Sequence, residues 1–159
     1  MFERFTEQAV KTIMLAQMES RAAGHNYVAP EQILLGLMGT EDTLSAITLK
    51  SMGLSLETLR SEVTKIIPNG TGEMAIEISF TESGKRSLEL SWDEARSLGH
   101  KHIGTEHLLL ALLRSKDSVV EKTLENVGVD TTRLQRHVLA RIAETGAGLE
   151  PYDSPMHQG

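Results

Sequence analysis

The sequence predicts an all-α protein of eight helices, built as two four-helix repeats related by a pseudo-twofold axis. Three observations predict it. The stretch Gly99-His-Lys-His-Ile-Gly-Thr-Glu-His-Leu-Leu-Leu-Ala-Leu-Leu113 has a counterpart in Gly24-His-Asn-Tyr-Val-Ala-Pro-Glu-Gln-Ile-Leu-Leu-Gly-Leu-Met38; both open on Gly-His and place a Glu seven residues after the Gly. Sliding residues 5–67 onto 80–142 without a gap, an offset of 75, gives 19 identities in 63 positions. Finally, apolar residues recur at spacings of three and four between residues suited to capping and stopping helices, and these recur in phase in both copies.

The first helix runs from Thr6 to Ala23. Ala9, Ile13, Ala16 and Ser20 form a stripe, with Val10, Met14 and Met18 beside it. Thr6 can accept a hydrogen bond from an otherwise orphaned backbone N–H, and Gly24 supplies the left-handed residue that ends many helices. A second helix spans Pro30 to about Met38, since proline is tolerated where its missing N–H would have no partner. A third runs from a cap at about Asp42 to Met52, stopped by Gly53. The fourth starts at the cap Ser55, carries Leu56, Leu59, Val63, Ile66 and Ile67, and ends at Pro68.

Pro68-Asn-Gly-Thr-Gly72 is the clearest break in the chain. Met74 to Phe80 then alternates briefly, but a single short strand finds no evident partner, so an extended linker is expected. The four-helix pattern restarts with Phe80-Thr81-Glu82, matching Phe5-Thr6-Glu7. The division is therefore a first repeat at 1–68, a linker at 69–80, a second repeat at 81–145 and a flexible tail at 146–159. A unit of about 65 residues buries only about 60% of its unfolded surface, so each copy is expected to support the other.

Composition narrows the function. A net charge of −6 and the lack of basic runs interleaved with aromatics argue against nucleic acid. With no cysteine there is no disulfide, thiolate metal site or thiol catalysis. The apolar runs are too short to span a membrane, and the N-terminus lacks the pattern of a signal peptide. A cytoplasmic or organelle-lumen location is expected.

The motifs of common chemistries are missing: no phosphate-binding Gly-x4-Gly-Lys-[Ser/Thr] loop, no Gly-x-Ser-x-Gly elbow and no His-Glu-x-x-His helix. His100, His102 and His107 form the one metal-like cluster, which could in principle gather around zinc. His100 repeats His25, which has no such companions, so a hydrogen bond closing the inter-helix turn is the better reading and His102 and His107 read as local variation. No metal, cofactor or catalytic residue is expected. Trp92 is read as packing in the core or at the seam between copies, and the methionines as core or linker filling. Glu31 and Glu106 each sit in the first turn of a helix, where a carboxylate compensates the helix dipole. One per copy, beside free N–H groups, they could also hold a cation on the carboxylates and an anion on the amides.

Met-Phe-Glu-Arg-Phe-Thr-Glu at 1–7, Glu-Gln-Ile-Leu-Leu-Gly-Leu at 31–37, Phe-Thr at 80–81 and Leu-Gly-His-x-x-Ile-Gly-Thr-Glu-His-Leu-Leu-Leu at 98–110 together resemble the double Clp-N repeat. That domain opens the ClpC-type AAA+ unfoldases of the Clp protease system. Ile-Met-Leu-Ala-Gln at 13–17 and Leu-Lys-Ser-Met-Gly at 49–53 resemble its cyanobacterial and chloroplast branch. The resemblance implies a non-catalytic domain that receives substrates and adaptor proteins and passes them to the ATPase ring. It further implies phospho-arginine binding, as in some ClpC proteins, through Glu31, Glu106, Thr6 and Thr81.

Two departures stand out. The first Gly-Thr-Glu is Ala29-Pro-Glu31, and the Gly-Glu-Gly loops expected after each second helix are replaced by Gly39-Thr-Glu-Asp-Thr43 and Arg114-Ser-Lys-Asp-Ser118. No ATPase module follows within the sequence. Either an N-domain separated from a full-length ClpC or a free-standing Clp-N protein fits, and the altered loops favour the second. The expected role is a non-enzymatic interaction module whose partners are Clp ATPase or protease-core subunits, adaptors or protein substrates, in the cytoplasm or plastid stroma. The expected contact surface is Phe2, Thr6, Glu31, Thr81, Lys85 and Glu106. A small-ligand sensor for a phospho-guanidinium or cation, and a metal-dependent protein built on the histidines, are the alternatives.

Overall fold

The structure, a computed structural model, describes residues 2–72 and 78–146. Residues 73–77 of the expected linker and 147–159 of the expected tail lie outside the described residues. Among those described there are eight helices: α1 (Glu7–Ala22), α2 (Pro30–Gly39), α3 (Leu44–Ser51), α4 (Leu56–Ile66), α5 (Glu82–Ser97), α6 (Thr105–Ser115), α7 (Ser118–Asn126) and α8 (Thr131–Thr145). The predicted all-α class and its duplicated four-helix unit are what is observed.

Helices α2 and α6 are buried along most of their length and occupy the centre. Ile33, Leu34 and Leu37 in one, and Leu108, Leu109, Leu110 and Leu112 in the other, are fully buried. Helix α1 packs along α2 and α5 along α6, within each repeat. The other helices pair across repeats, α3 with α8 and α4 with α7. A single apolar core results, to which both copies contribute.

Capping follows the sequence closely. Thr6, Ser55 and Thr81 accept from the amides of Ala9, Thr58 and Gly84 at 3.1, 3.1 and 3.0 Å. Asp117 caps α7 through Val119 and Val120. The expected cap at Asp42, its counterpart, is corrected to Thr43, which accepts from Ala46 at 3.2 Å. Asp42 instead takes a left-handed conformation, φ 65°, one residue earlier. Met14 and Met18, expected as core filling, are 57% and 62% exposed, because the buried face of α1 runs through Ala9, Thr12, Ile13, Ala16 and Ser20.

The expectation of an unpartnered strand before Phe80 is also corrected. Strand β2 (Ser79–Phe80) pairs in parallel with β1 (Tyr27–Val28) of the first repeat. Its symmetry mate is a single parallel bridge between Phe5 and Ile103. The segment leading into the first helix of each repeat thus pairs with the turn before the second helix of the other repeat. The start of the linker is also held: Gly70 N donates to Ala23 O at 2.8 Å, and Gly24 and Gly70 approach so closely that a side chain on Gly70 would lie 2.2 Å from Gly24 O.

Candidate functional site across the repeat seam

The two exchanged backbone pairings decide where the expected site residues fall. Thr81 N donates to Val28 O at 3.0 Å, two residues before α2 begins at Pro30. This places the capped start of α5 against the start of α2, which carries Glu31. Thr6 N donates to Ile103 O at 2.9 Å, two residues before α6 begins at Thr105, so the start of α1 meets the helix start that carries Glu106. The pairs are therefore Thr81 with the Glu31 helix and Thr6 with the Glu106 helix, each across the seam. Phe2 joins the two clusters, with its ring 5.0 Å from Phe5, edge to face, and 6.3 Å from Phe80.

The two glutamates are in unlike settings. The Glu106 carboxylate folds back over Gly104, so closely that a Cβ on Gly104 would lie 1.8 Å from Glu106 Oε1. At the corresponding position the first copy has Ala29, whose methyl group excludes the same fold-back. Glu31 is 3% exposed. Burial pushes its carboxyl above the usual carboxylate range; a hydrogen bond from its own amide opposes this, and the negative charge of Asp117 at the start of α7 adds to the rise.

Thr6 is buried while Phe2 and Thr81 are half-buried. Lys85 is exposed, one turn beyond Thr81, with Nζ 3.7 Å from Glu82 Oε1. It borders a groove of about 530 Å³ between α5 and the N-terminal segment. Arg4, Leu88, Trp92 and Ile103 also line that groove. Trp92 lies on the seam, with the Arg4 guanidinium of the first repeat 4.3 Å from its ring centroid and Arg96 at 5.3 Å. Arg4 and Ile103 were not among the expected contact residues, and the cross-repeat bridge between Phe5 and Ile103 brings them here.

The histidines need one correction. His100 does close the inter-helix turn by a hydrogen bond, but its partner is His107, which is therefore not local variation. His107 is 1% exposed. Its Nδ1 accepts from the Gly104 amide at 2.8 Å, and its Nε2 lies 2.7 Å from His100 Nδ1. In the first copy Gln32 stands at the equivalent position, and its Oε1 accepts from Ala29 N at 2.7 Å. Both side chains satisfy the same orphaned amide at a helix start. Burial, and then the proximity of His100, lower the pKa of His107 to about 3.

Comparison with known proteins agrees with this architecture. The model of the Clp repeat (R) N-terminal domain matches residues 4–127 and 79–153. The chloroplastic chaperone protein ClpC of Pisum sativum is 54% identical over 145 residues, covering 91% of this chain and 16% of the relative. Chloroplastic ClpC1 of Arabidopsis thaliana is 54% identical over 144 residues, with the same 91% and 16% coverage. The chain thus spans about a sixth of the length of these relatives. Among solved structures, the N-terminal domain of the ClpD chaperone from Arabidopsis thaliana superposes with a TM-score of 0.76 at 26% identity, covering 89% of this chain and 96% of that one. The Hsp104 N-terminal domain of Candida albicans shares the fold, with a TM-score of 0.72 at 17% identity over 90% of this chain and 92% of that one. A family model that matches most of the chain, and relatives 54% identical over 91% of it, identify the chain as a member of the Clp repeat N-terminal domain family.

Proposed function

We propose that this domain is a non-catalytic receiving module of the Clp chaperone–protease system, binding protein substrates, adaptors or Clp subunits at the repeat seam. The observation that carries this reading is the meeting, across the seam, of two capped helix starts with two glutamate-bearing ones. In this reading Phe2 and Lys85 make contact, Thr6 and Thr81 fix the helix starts, and Glu31 and Glu106 set the charge. A ligand with a cationic and an anionic part, such as phospho-arginine, suits carboxylates set at helix starts. The chloroplastic names of the relatives support a plastid setting. Among the described residues no helix is long and apolar enough to cross a membrane.

Calorimetric titration with phospho-arginine, and with an arginine-phosphorylated unfolded protein, tests this. Saturable binding that is lost in Glu31→Ala/Glu106→Ala, with the thermal melt nearly unchanged, is the expected result. Equal binding by wild type and variant would reject the site. Failure of the chain to associate with purified Clp ATPase, protease core, adaptors or substrates would reject the role.

A further inference from the structure

Helices α3 and α8, one from each repeat, border a groove of about 1040 Å³ that shares no lining residue with the seam site. Its apolar floor is Leu44, Ile47 and Ala140. Ile47 is 48% exposed, one of three large apolar side chains so exposed among the described residues. Along its α8 side stand Arg133, Arg136 and Arg141, spaced so that all three lie on one helix face. His137 lies among them, and Glu144 at the far end is the one carboxylate lining the groove.

Two facts set this face apart. First, Arg133, Arg136 and Arg141 stand together on one helix face, and none of them forms an ion pair among the described residues. Second, the repeat architecture does not require the charge. At the equivalent positions of the first copy stand Thr58, Ser61 and Ile66, and Lys122 stands where α3 has Ile47. Three guanidinium groups with no ion pair among the described residues, around an apolar floor on a chain of net charge −6, form a local field of opposite sign to the whole.

We propose that the α3–α8 groove is a docking site for an acidic amphipathic helix of a partner protein. Arg133 to Arg141 spans about 12 Å along α8, a little over two turns, so carboxylates on successive turns of a partner helix match the three arginines. Guanidinium groups take carboxylates in paired hydrogen bonds, which fixes register as well as charge. An apolar residue on the partner's adjoining face then covers Ile47 between Leu44 and Ala140, the helix-in-groove mode of recognition. The apolar floor favours such a helix over a polyanion, which would need charge alone.

The test uses fluorescence anisotropy with the whole chain and a labelled amphipathic helical peptide bearing glutamates beside a leucine stripe. Its lysine-for-glutamate counterpart and a single-stranded oligonucleotide are the controls. The acidic peptide is expected to bind saturably, to weaken with salt, and to lose at least about tenfold in affinity in both R133Q/R136Q/R141Q and the charge-reversed R133E/R136E/R141E. Ile47→Ser should weaken it further, and Glu31→Ala/Glu106→Ala should leave it unchanged. Absence of saturable binding, equal binding of the lysine peptide, or retention of affinity in both arginine variants overturns the proposal. Oligonucleotide binding as tight as the peptide's overturns it in favour of a polyanion. A dimer seen by sedimentation that the arginine variants dissociate overturns it in favour of self-association.

Discussion

His107 Nε2 lies 2.7 Å from His100 Nδ1, while His107 Nδ1 accepts from the Gly104 amide. An amide can only donate, so His107 carries its proton on Nε2 and gives it to His100, which must carry its own on Nε2. Glu106 Oε1, 3.7 Å from His107 Nδ1, therefore faces a lone pair and forms no ion pair there.

That arrangement is intact only while both rings are neutral. With His107 lowered to about 3 and His100 lowered too, the unfolded chain binds more protons than the folded one below about pH 6.5. Stability is thus full above that pH and falls as the solution is acidified, by up to about 1.4 kcal/mol per pH unit for each such group. The raised carboxyl of Glu31 works in the opposite sense, since its protonation relieves a buried charge. Thermal melts between pH 7.5 and pH 5 should show a net loss. His107→Gln should flatten it while changing stability at pH 7.5 by less than about 1 kcal/mol, because Gln32 already satisfies the equivalent amide.

Two glycines should respond differently to the same methyl group. A Cβ on Gly36 would lie 2.3 Å from the backbone oxygen of Thr12, where α1 and α2 pack together. Gly36→Ala should cost about 1–3 kcal/mol, despite alanine's better helix propensity. The three atoms nearest to a Cβ on Gly104 all belong to the carboxylate of Glu106, the far end of a flexible side chain. Gly104→Ala should cost less than about 1 kcal/mol but drive the carboxylate outward. Chemical denaturation checks the stabilities, and ligand titration of Gly104→Ala reports the displaced glutamate.

Lys116 ends α6 with φ 53°, and Asp42 precedes α3 with φ 65°. Both lie in the loops where the family resemblance anticipates Gly-Glu-Gly, so the backbone keeps a left-handed turn after the glycines are gone. Lys116→Gly should stabilise the fold by up to about 1 kcal/mol. Asp42→Gly should give less, since aspartate tolerates this region better than lysine. Urea midpoints of the two variants decide the order.

Loss of a core side chain should contrast with loss of the seam glutamates. Leu109 is fully buried, and Leu109→Ala should cost about 2–5 kcal/mol through the cavity it leaves. Glu31→Ala/Glu106→Ala should leave the melt nearly unchanged, because burial already disfavours the charged form of Glu31. Parallel thermal melts of the two variants test this.

The helices were legible because their signals are local: Thr6, Ser55, Thr81 and Asp117 stand beside the amides they cap. The duplication was legible because equivalent glycines and leucines keep one offset. The seam was not. Tyr27 and Val28 form a two-residue strand with no periodicity, and its partner is contributed by the other repeat. His107 was passed over because it corresponds to Gln32, an unlike residue whose oxygen accepts the same kind of bond. Asp42 and Thr43 are adjacent residues that can both cap, and only the backbone turn at Asp42 decides between them. The six candidate positions could be named one by one from the sequence and its family resemblance, but how they pair across the copies could not.

The bridge from Phe5 to Ile103 ties the beginning of the chain to its second half. As the polypeptide leaves the ribosome, α1 to α4 emerge complete, yet Phe5 and the amide of Thr6 still wait for a segment not yet synthesised. The first repeat can gather its own helices early, but its edge closes only after α5 has passed and Ile103 arrives. Final assembly is therefore a late event in the birth of this domain, and a chain interrupted before Ile103 leaves Arg4 O and Thr6 N without their backbone partner.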